Sequence, residues 1–93
     1  MAVAEPVRTY LLTPHAVFEM ARRGIEERIV RNVLERPDQR LPIRPGRDVL
    51  QSRVQMADKT YLVRVFVDVD RSPAEVVTAY RTSKIIRYWR IET

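Results

Sequence analysis

The chain has 93 residues, which is enough for one small domain and too few for a Rossmann or barrel enzyme. It has no cysteine, which excludes disulfides, zinc fingers and thiol catalysis and favours the reducing cytoplasm. The net charge of +5 arises entirely in residues 40–93, because residues 1–39 carry as many acidic as basic side chains. This asymmetry indicates an anionic partner, such as RNA or an acidic protein.

Two helices are predicted before any strand. Thr13-Pro14 is typical of a helix start, and the first helix extends to about Arg23, where Gly24 follows. The second helix covers residues 25–35, in which apolar residues recur every three or four positions. The two helices are joined almost without a loop, so they are expected to form a helical corner.

The hydrophobic period then changes from 3.6 to 2, which predicts strands. A short edge strand is expected at residues 41–43, followed by strands at 49–56, 60–69 and 74–81 with hairpin-length connections. The tail, residues 83–90, fits a short helix, although its apolar residues would also alternate in a strand. The predicted fold is α+β: a single domain over residues 1–93, with its core at about 12–90 and two N-terminal helices on a three- or four-stranded antiparallel sheet.

Five residues have the chemistry of a phosphate-cleaving site. His15 lies in the first turn of a helix, where the dipole favours a neutral imidazole that can accept a proton. Arg64 interrupts an apolar strand, where a rigidly held guanidinium could clamp a phosphate or its stem could simply extend to water. Arg23 ends the first helix, and Thr78 and Tyr80 share one strand face. For each residue an ordinary surface or packing role is the alternative.

Further cations and aromatic residues suggest RNA contacts. Arg53 and Arg81 lie on the strands beside Arg64, and the tail alternates cations with aromatic side chains that could stack on bases. The tail residues concerned are Lys84, Tyr88 and Trp89. One histidine, no cysteine and no spaced carboxylate cluster give no basis for a metal, and no cofactor-binding motif is present. No apolar run approaches the about 20 residues of a membrane span.

Three motifs resemble the pattern of a bacterial family of domains of unknown function, DUF4258. They are His15-Ala16-x-x-x-Met20-x-x-Arg23-Gly24-Ile25, Gly46-Arg47, and Val76-Val77-Thr78-Ala79-Tyr80-Arg81. The resemblance implies a place in the RelE/ParE-like toxin group, a RelE-like fold and RNA cleavage. It carries over His15, Arg23, Arg47, Thr78 and Tyr80 as candidate site residues.

These observations favour a toxin-type, metal-independent ribonuclease that works by acid–base chemistry. In this hypothesis His15 is the general base or acid, Arg23 and Arg64 hold the phosphate, and Thr78 and Tyr80 position it. Two alternatives use the same charges. One is a non-catalytic module that binds RNA or the ribosome, and the other is a module that binds an acidic, antitoxin-like protein.

Overall fold

The computed structural model describes residues 4–91, so the ends of the predicted domain 1–93 lie outside the described residues. Five strands form one sheet in the order β1-β5-β4-β3-β2. Strand β1 pairs in parallel with β5, and the other neighbours are antiparallel. The strands are β1 (Tyr10–Leu12), β2 (Gln39–Arg44), β3 (Arg47–Met56), β4 (Lys59–Asp68) and β5 (Ala74–Thr82). The helices are α1 (Pro14–Arg22), α2 (Glu27–Glu35) and α3 (Ile85–Tyr88).

The predicted fold is wrong in its sheet and in its RelE-like arrangement. The sheet is mixed and five-stranded, and a strand precedes the helices. Strand β1 has only three residues, too few to show an alternating pattern, and its parallel pairing with β5 joins segments about 64 positions apart. Such a pairing is set by tertiary contacts and leaves no mark in local sequence. The tail does form a helix, but one of only four residues.

The helices α1 and α2 pack on one face of the sheet, here called the helix face. Helix α1 begins where the sequence predicts, with Pro14 in the first turn and the Thr13 hydroxyl accepting a hydrogen bond from the Ala16 amide at 3.1 Å. The core lies between α1, α2 and the helix face. Its fully buried members include Ala16, Val30, Leu34, Leu50, Val63, Val65, Val67, Val76 and Ala79.

Residues of the central strand β4 alternate between the two faces. Val63, Val65 and Val67 belong to the core, so Leu62, Arg64 and Phe66 point to the opposite face. This opposite face is covered by residues 84–91, here called the C-terminal strap, and is called the strap face. Because it is covered, Leu62 is fully buried even though it lies outside the helix-face core.

One sheet edge is left open beside α1. Strand β1 pairs with β5 only over Ala74–Val76, so the rest of β5 has no neighbouring strand on that side. An unpaired edge presents backbone groups to any approaching chain. Here the Arg23 side chain reaches over the edge and donates from Nη1 to the Ala79 carbonyl oxygen at 2.8 Å.

A pair of matched leucine substitutions tests where the core lies. Leu50→Ala is expected to lower the free energy of unfolding by about 2–5 kcal/mol, because Leu50 is fully buried between β3 and the helices. Leu11→Ala, at a leucine 55% exposed on β1, should change it by less than about 1 kcal/mol. Urea unfolding measures both, and similar losses for the two variants would contradict this core.

Candidate functional site

The antiparallel registers place four polar side chains in one row across the strap face. Gln39 of β2 lies opposite Gln51 of β3, Gln51 opposite Arg64 of β4, and Arg64 opposite Tyr80 of β5. Neighbouring side chains in such a row lie about 5 Å apart at Cβ, within hydrogen-bonding reach. We call Gln39, Gln51, Arg64 and Tyr80 the polar row.

Arg64 is the unusual member of the polar row, because it is only 9% exposed and has no carboxylate partner within residues 4–91. Its Nε donates to the Gln51 side-chain oxygen at 2.8 Å, and its Nη1 donates to the Tyr80 hydroxyl at 2.7 Å. Aromatic rings surround the guanidinium, with the Tyr88 ring centre 4.6 Å and the Phe66 ring centre 5.4 Å from its Cζ. Dipoles and ring faces stabilise this charge without neutralising it. The guanidinium therefore has no counter-charge among the described residues.

The two glutamines join the polar row to the C-terminal strap. Gln51 donates from Nε2 to the Gln39 side-chain oxygen at 2.8 Å and to the Tyr88 carbonyl oxygen at 3.1 Å. Gln39 pairs with the backbone of Arg90 in both directions, donating to its carbonyl oxygen at 2.6 Å and accepting from its amide at 3.0 Å. These amides are buried, so each bond both satisfies a polar group and fixes the strap.

A groove lined with arginines runs along the open edge of β5. Its lining consists of Ala21, Arg22, Arg23, Gly24, Tyr80 and Arg81. We call it the β5-edge groove. Arg81 stacks on Tyr61, with its Cζ 4.7 Å from the ring centre, and forms no ion pair within the described chain. Tyr80 belongs to both the groove and the polar row, so it connects the groove to Arg64.

Glu19 moderates the charge of this groove. Its carboxylate lies 2.6 Å from Arg22 Nη2 and 2.9 Å from Arg23 Nη2. The hydrogen bond from Arg22 holds the pKa of Glu19 below its usual value against the opposing effect of desolvation, and the charges of Arg22, Arg23 and His15 act in the same direction. With Arg22, Arg23 and Arg81 against one carboxylate, the groove retains an excess of two positive charges.

His15 and Thr78 lie outside the groove lining. His15 is exposed on the first turn of α1, and its nearest described link to the site is its electrostatic effect on Glu19, one turn further along the helix. Thr78 is half-buried on the strap face, opposite Phe66. The structure thus brings Arg23, Arg64 and Tyr80 together. It does not place His15 among them.

The predicted RNA-contacting residues divide into three locations. Arg47 lies at the far end of the sheet, where it donates to the Asp68 carboxylate at 2.6 and 3.2 Å. Arg53 stacks on Trp89 of the strap, with its Cζ 4.4 Å from the ring centre, and this contact helps to hold the strap on β3. Tyr88 covers Arg64, and Lys84 is exposed at the start of α3. Arg81 alone of this set lines the groove.

Sequence reasoning missed Gln39 and Gln51 as members of the site. Gln51 and Arg53 alternate with apolar residues, a pattern typical of a half-exposed strand, yet Gln51 is fully buried. The predicted turn at residues 57–59 gives the wrong β3–β4 register, because a three-residue turn pairs Gln51 with Val65. The observed turn contains only Ala57 and Asp58, which shifts the pairing by one residue and places Gln51 opposite Arg64. The burial itself depends on the strap, which no local pattern shows.

Neither a metal cluster nor a membrane-spanning helix is found in residues 4–91. No three side chains of the metal-ligating types histidine, cysteine, aspartate or glutamate lie together there. None of the described helices has the length and apolar character needed to cross a bilayer.

Comparison with known families places the chain among domains of unknown function. The domain described as "Domain of unknown function (DUF4258)" matches residues 12–81, about three quarters of the chain. The chain belongs to the DUF4258 family. No curated protein and no solved structure matches it. The DUF4258 match includes the whole polar row and the β5-edge groove, and it ends at Arg81, before the strap begins.

Asp68→Asn tests whether Arg47 is committed to an ion pair. The hydrogen bond from Arg47 lowers the pKa of Asp68, so the ionised carboxylate stabilises the fold fully above its unfolded-state pKa of about 3.9. That contribution is lost as the pH falls through the lower, folded-state pKa. We expect Asp68→Asn to lower the free energy of unfolding by about 1–3 kcal/mol at pH 7. The difference from wild type should shrink as the pH falls below about 4.

Urea unfolding of both proteins at a series of pH values measures this difference. A gap that stays constant from pH 7 down to the lowest pH at which both proteins fold would show that the Asp68 charge contributes nothing.

Proposed function

We propose that the protein binds single-stranded RNA through the β5-edge groove. The observation that supports it most is the gathering of Arg22, Arg23 and Arg81 with Tyr80 along an open sheet edge, with only Glu19 opposing them. Arginine guanidinium groups match the geometry of phosphate oxygens, and neutralised backbone phosphates provide most of the affinity for nucleic acid.

The preference for RNA over an acidic protein follows from the shape and chemistry of the groove. A single strand can lay its phosphates along an edge and stack unpaired bases on arginine planes and aromatic rings. The β5-edge groove offers both, because Arg81 presents a guanidinium stacked on Tyr61 beside the Tyr80 ring.

RNA cleavage is a second candidate function, favoured by the Tyr80 hydroxyl. This hydroxyl accepts a hydrogen bond from Arg64, so its own proton is available to a ligand in the groove. In this mechanism the ribose 2′-oxygen attacks phosphorus and passes its proton to water, while the bond from phosphorus to the 5′-oxygen breaks. Tyr80 protonates the leaving 5′-oxygen and later regains a proton from water. Arg23 and Arg81 stabilise the charge that develops on the phosphate.

Arg81→Gln tests RNA binding. Removing one uncompensated cation from the groove is expected to weaken binding of a labelled single-stranded RNA by about five- to tenfold at low salt. The slope of log affinity against log salt should fall by about 0.7, the value for one phosphate contact on a single strand. Fluorescence anisotropy at several salt concentrations measures both quantities.

Arg31→Gln is the matched control for this prediction. Arg31 is an exposed arginine of α2, which packs against β3 and β4 away from the groove. The Arg31→Gln substitution should leave the affinity for single-stranded RNA nearly unchanged. Equal weakening by the two variants would show that RNA responds only to overall charge, and undetectable binding of wild type at low salt would refute the proposed function.

Tyr80→Phe tests cleavage separately from binding. Loss of the hydroxyl is expected to slow cleavage by about 10²–10⁴-fold while affinity changes little, because the ring and the cations remain. His15→Ala is the comparison, and it should cleave at the wild-type rate since His15 lies outside the groove. Fragment analysis of total RNA after induced expression, scored with growth, measures the effect in cells. Loss of cleavage in His15→Ala with full activity in Tyr80→Phe would reverse these roles.

A further inference from the structure

The C-terminal strap lies directly over Arg64, a buried arginine that has no carboxylate partner within residues 4–91. Tyr88 stacks on the Arg64 guanidinium and meets the Tyr80 ring edge-on, with 6.2 Å between ring centres. The nitrogen Nη2 of Arg64 donates no hydrogen bond within residues 4–91. Since no fully buried polar side-chain atom there lacks a partner, Nη2 retains access to solvent. The Arg64 guanidinium is thus held in place and nearly covered. It is hydrogen-bonded to Tyr80, which lines the β5-edge groove.

We propose that Arg64 is a second phosphate-binding position of the RNA site and that the C-terminal strap covers it reversibly. In the covered state RNA reaches only the β5-edge groove. When the strap leaves, the Arg64 guanidinium is exposed beside Tyr80, and the bound strand gains a charge-assisted phosphate contact. This inference rests on the proposed function and adds a means of regulating it.

The contacts of the strap are those of a segment that can leave. Its described hydrogen bonds to the sheet are the Gln51 bond to Tyr88, the two Gln39 bonds to Arg90, and, where the strap begins, a bond from the Lys84 amide to the Thr82 hydroxyl of β5. Its helix α3 is one turn long and has no buried residue. Ile86 and Ile91 are 89% and 77% exposed, so much of its apolar surface stabilises nothing. A cover of this kind opens at a small free-energy cost compared with global unfolding.

The charge of the strap also opposes the covered state. Residues 84–91 include Lys84, Arg87 and Arg90 and no acidic residue, so a positively charged segment covers a guanidinium of the same sign. RNA would favour the open state in two ways, because its phosphates would bind Arg64 and would also attract the positively charged strap once it is released. The DUF4258 match ends at Arg81 and includes the whole polar row, so the strap lies outside the part of the chain that defines the family.

The polar row keeps Arg64 in place when the strap moves. The Gln51 and Tyr80 bonds to Arg64 come from neighbouring strands, and neither involves the strap. Gln51 is therefore a positioning residue, which fixes the guanidinium plane in both states. Among the contacts of Arg64 the Tyr88 ring is the one lost with the strap, and a base of the bound strand offers an equivalent stacking face. The side chains of Gln39 and Gln51, released from the strap backbone, then hydrogen-bond to water.

Arg90→Pro, compared with Arg90→Ala, tests the strap in the full chain. Both variants remove the same cation, but only proline removes the backbone N–H that donates to Gln39. Trp89 is extended, with φ −75° and ψ 126°, which is the conformation required before proline. We expect Arg90→Pro to bind labelled single-stranded RNA about fivefold more tightly than Arg90→Ala, because loss of one hydrogen bond raises the open fraction by about that factor.

The emission of Trp89, the only tryptophan, reports the position of the strap directly. It stacks on Arg53 in the covered state, so release into water should shift its emission to longer wavelength as RNA is added. A second pair of variants, Trp89→Ala and Ile86→Ala, replaces the first if proline disturbs folding. Trp89→Ala loosens the strap and should tighten RNA binding, whereas Ile86→Ala removes an exposed side chain and should not.

The outcomes separate this inference from the proposed function. RNA binding by wild type with no Trp89 red shift, or weaker binding by Arg90→Pro than by Arg90→Ala, would leave the groove in place and overturn the cover. Quenching of Trp89 without a red shift would make the strap part of the binding surface, which also overturns it. No binding by wild type or any variant would refute both. Binding by the loosened variants alone would refute groove binding and support the cover.

Discussion

A guanidinium held in the middle of a sheet, with no counter-ion among residues 4–91, is the constraint on which the rest of this structure depends. Removing Arg64 from water is unfavourable unless its donors and its charge are satisfied. The protein bonds Nε to a neutral amide and Nη1 to a hydroxyl, surrounds the guanidinium with three aromatic rings, and leaves Nη2 in contact with solvent. A carboxylate in the same place would neutralise the charge and remove its attraction for an anion.

The acidic residues elsewhere in the fold are mostly used up in pairs. Glu19 binds two arginines of α1, Asp48 binds Arg40, and Asp68 binds Arg47. Ten cations form no ion pair within residues 4–91, and half of them lie at the end of β5, in the strap or under it. These five are Arg64, Arg81, Lys84, Arg87 and Arg90, and the other five, Arg8, Arg31, Arg36, Arg44 and Lys59, are spread over the rest of the fold. Much of the excess charge of residues 40–93 is therefore gathered around the strap.

The two faces of the sheet separate stability from chemistry. The helix face carries the aliphatic core, which depends on close packing and tolerates few polar groups. The strap face carries the polar row, whose members need each other for hydrogen bonds. Because β1 is so short, β5 keeps an open edge between these faces, and the groove forms there. Arg23 protects the edge and contributes to the groove at once.

The two helices and the strands β3, β4 and β5 could be predicted from the sequence, because each has a regular local spacing of apolar residues. Arg64 was recognisable as unusual because it interrupts that spacing in β4. The sequence also identified Arg23, Arg64 and Tyr80 as site candidates, and the fold brings these three together. Strand β1, the mixed sheet, the burial of Gln51 and the exclusion of His15 from the groove were decided only by the tertiary structure. Each depends on contacts between segments that are distant in sequence: β1 with β5, the strap with the sheet, and α1 with the open edge of β5. These contacts are set by the packing of the whole chain, and local residue type and spacing do not predict them.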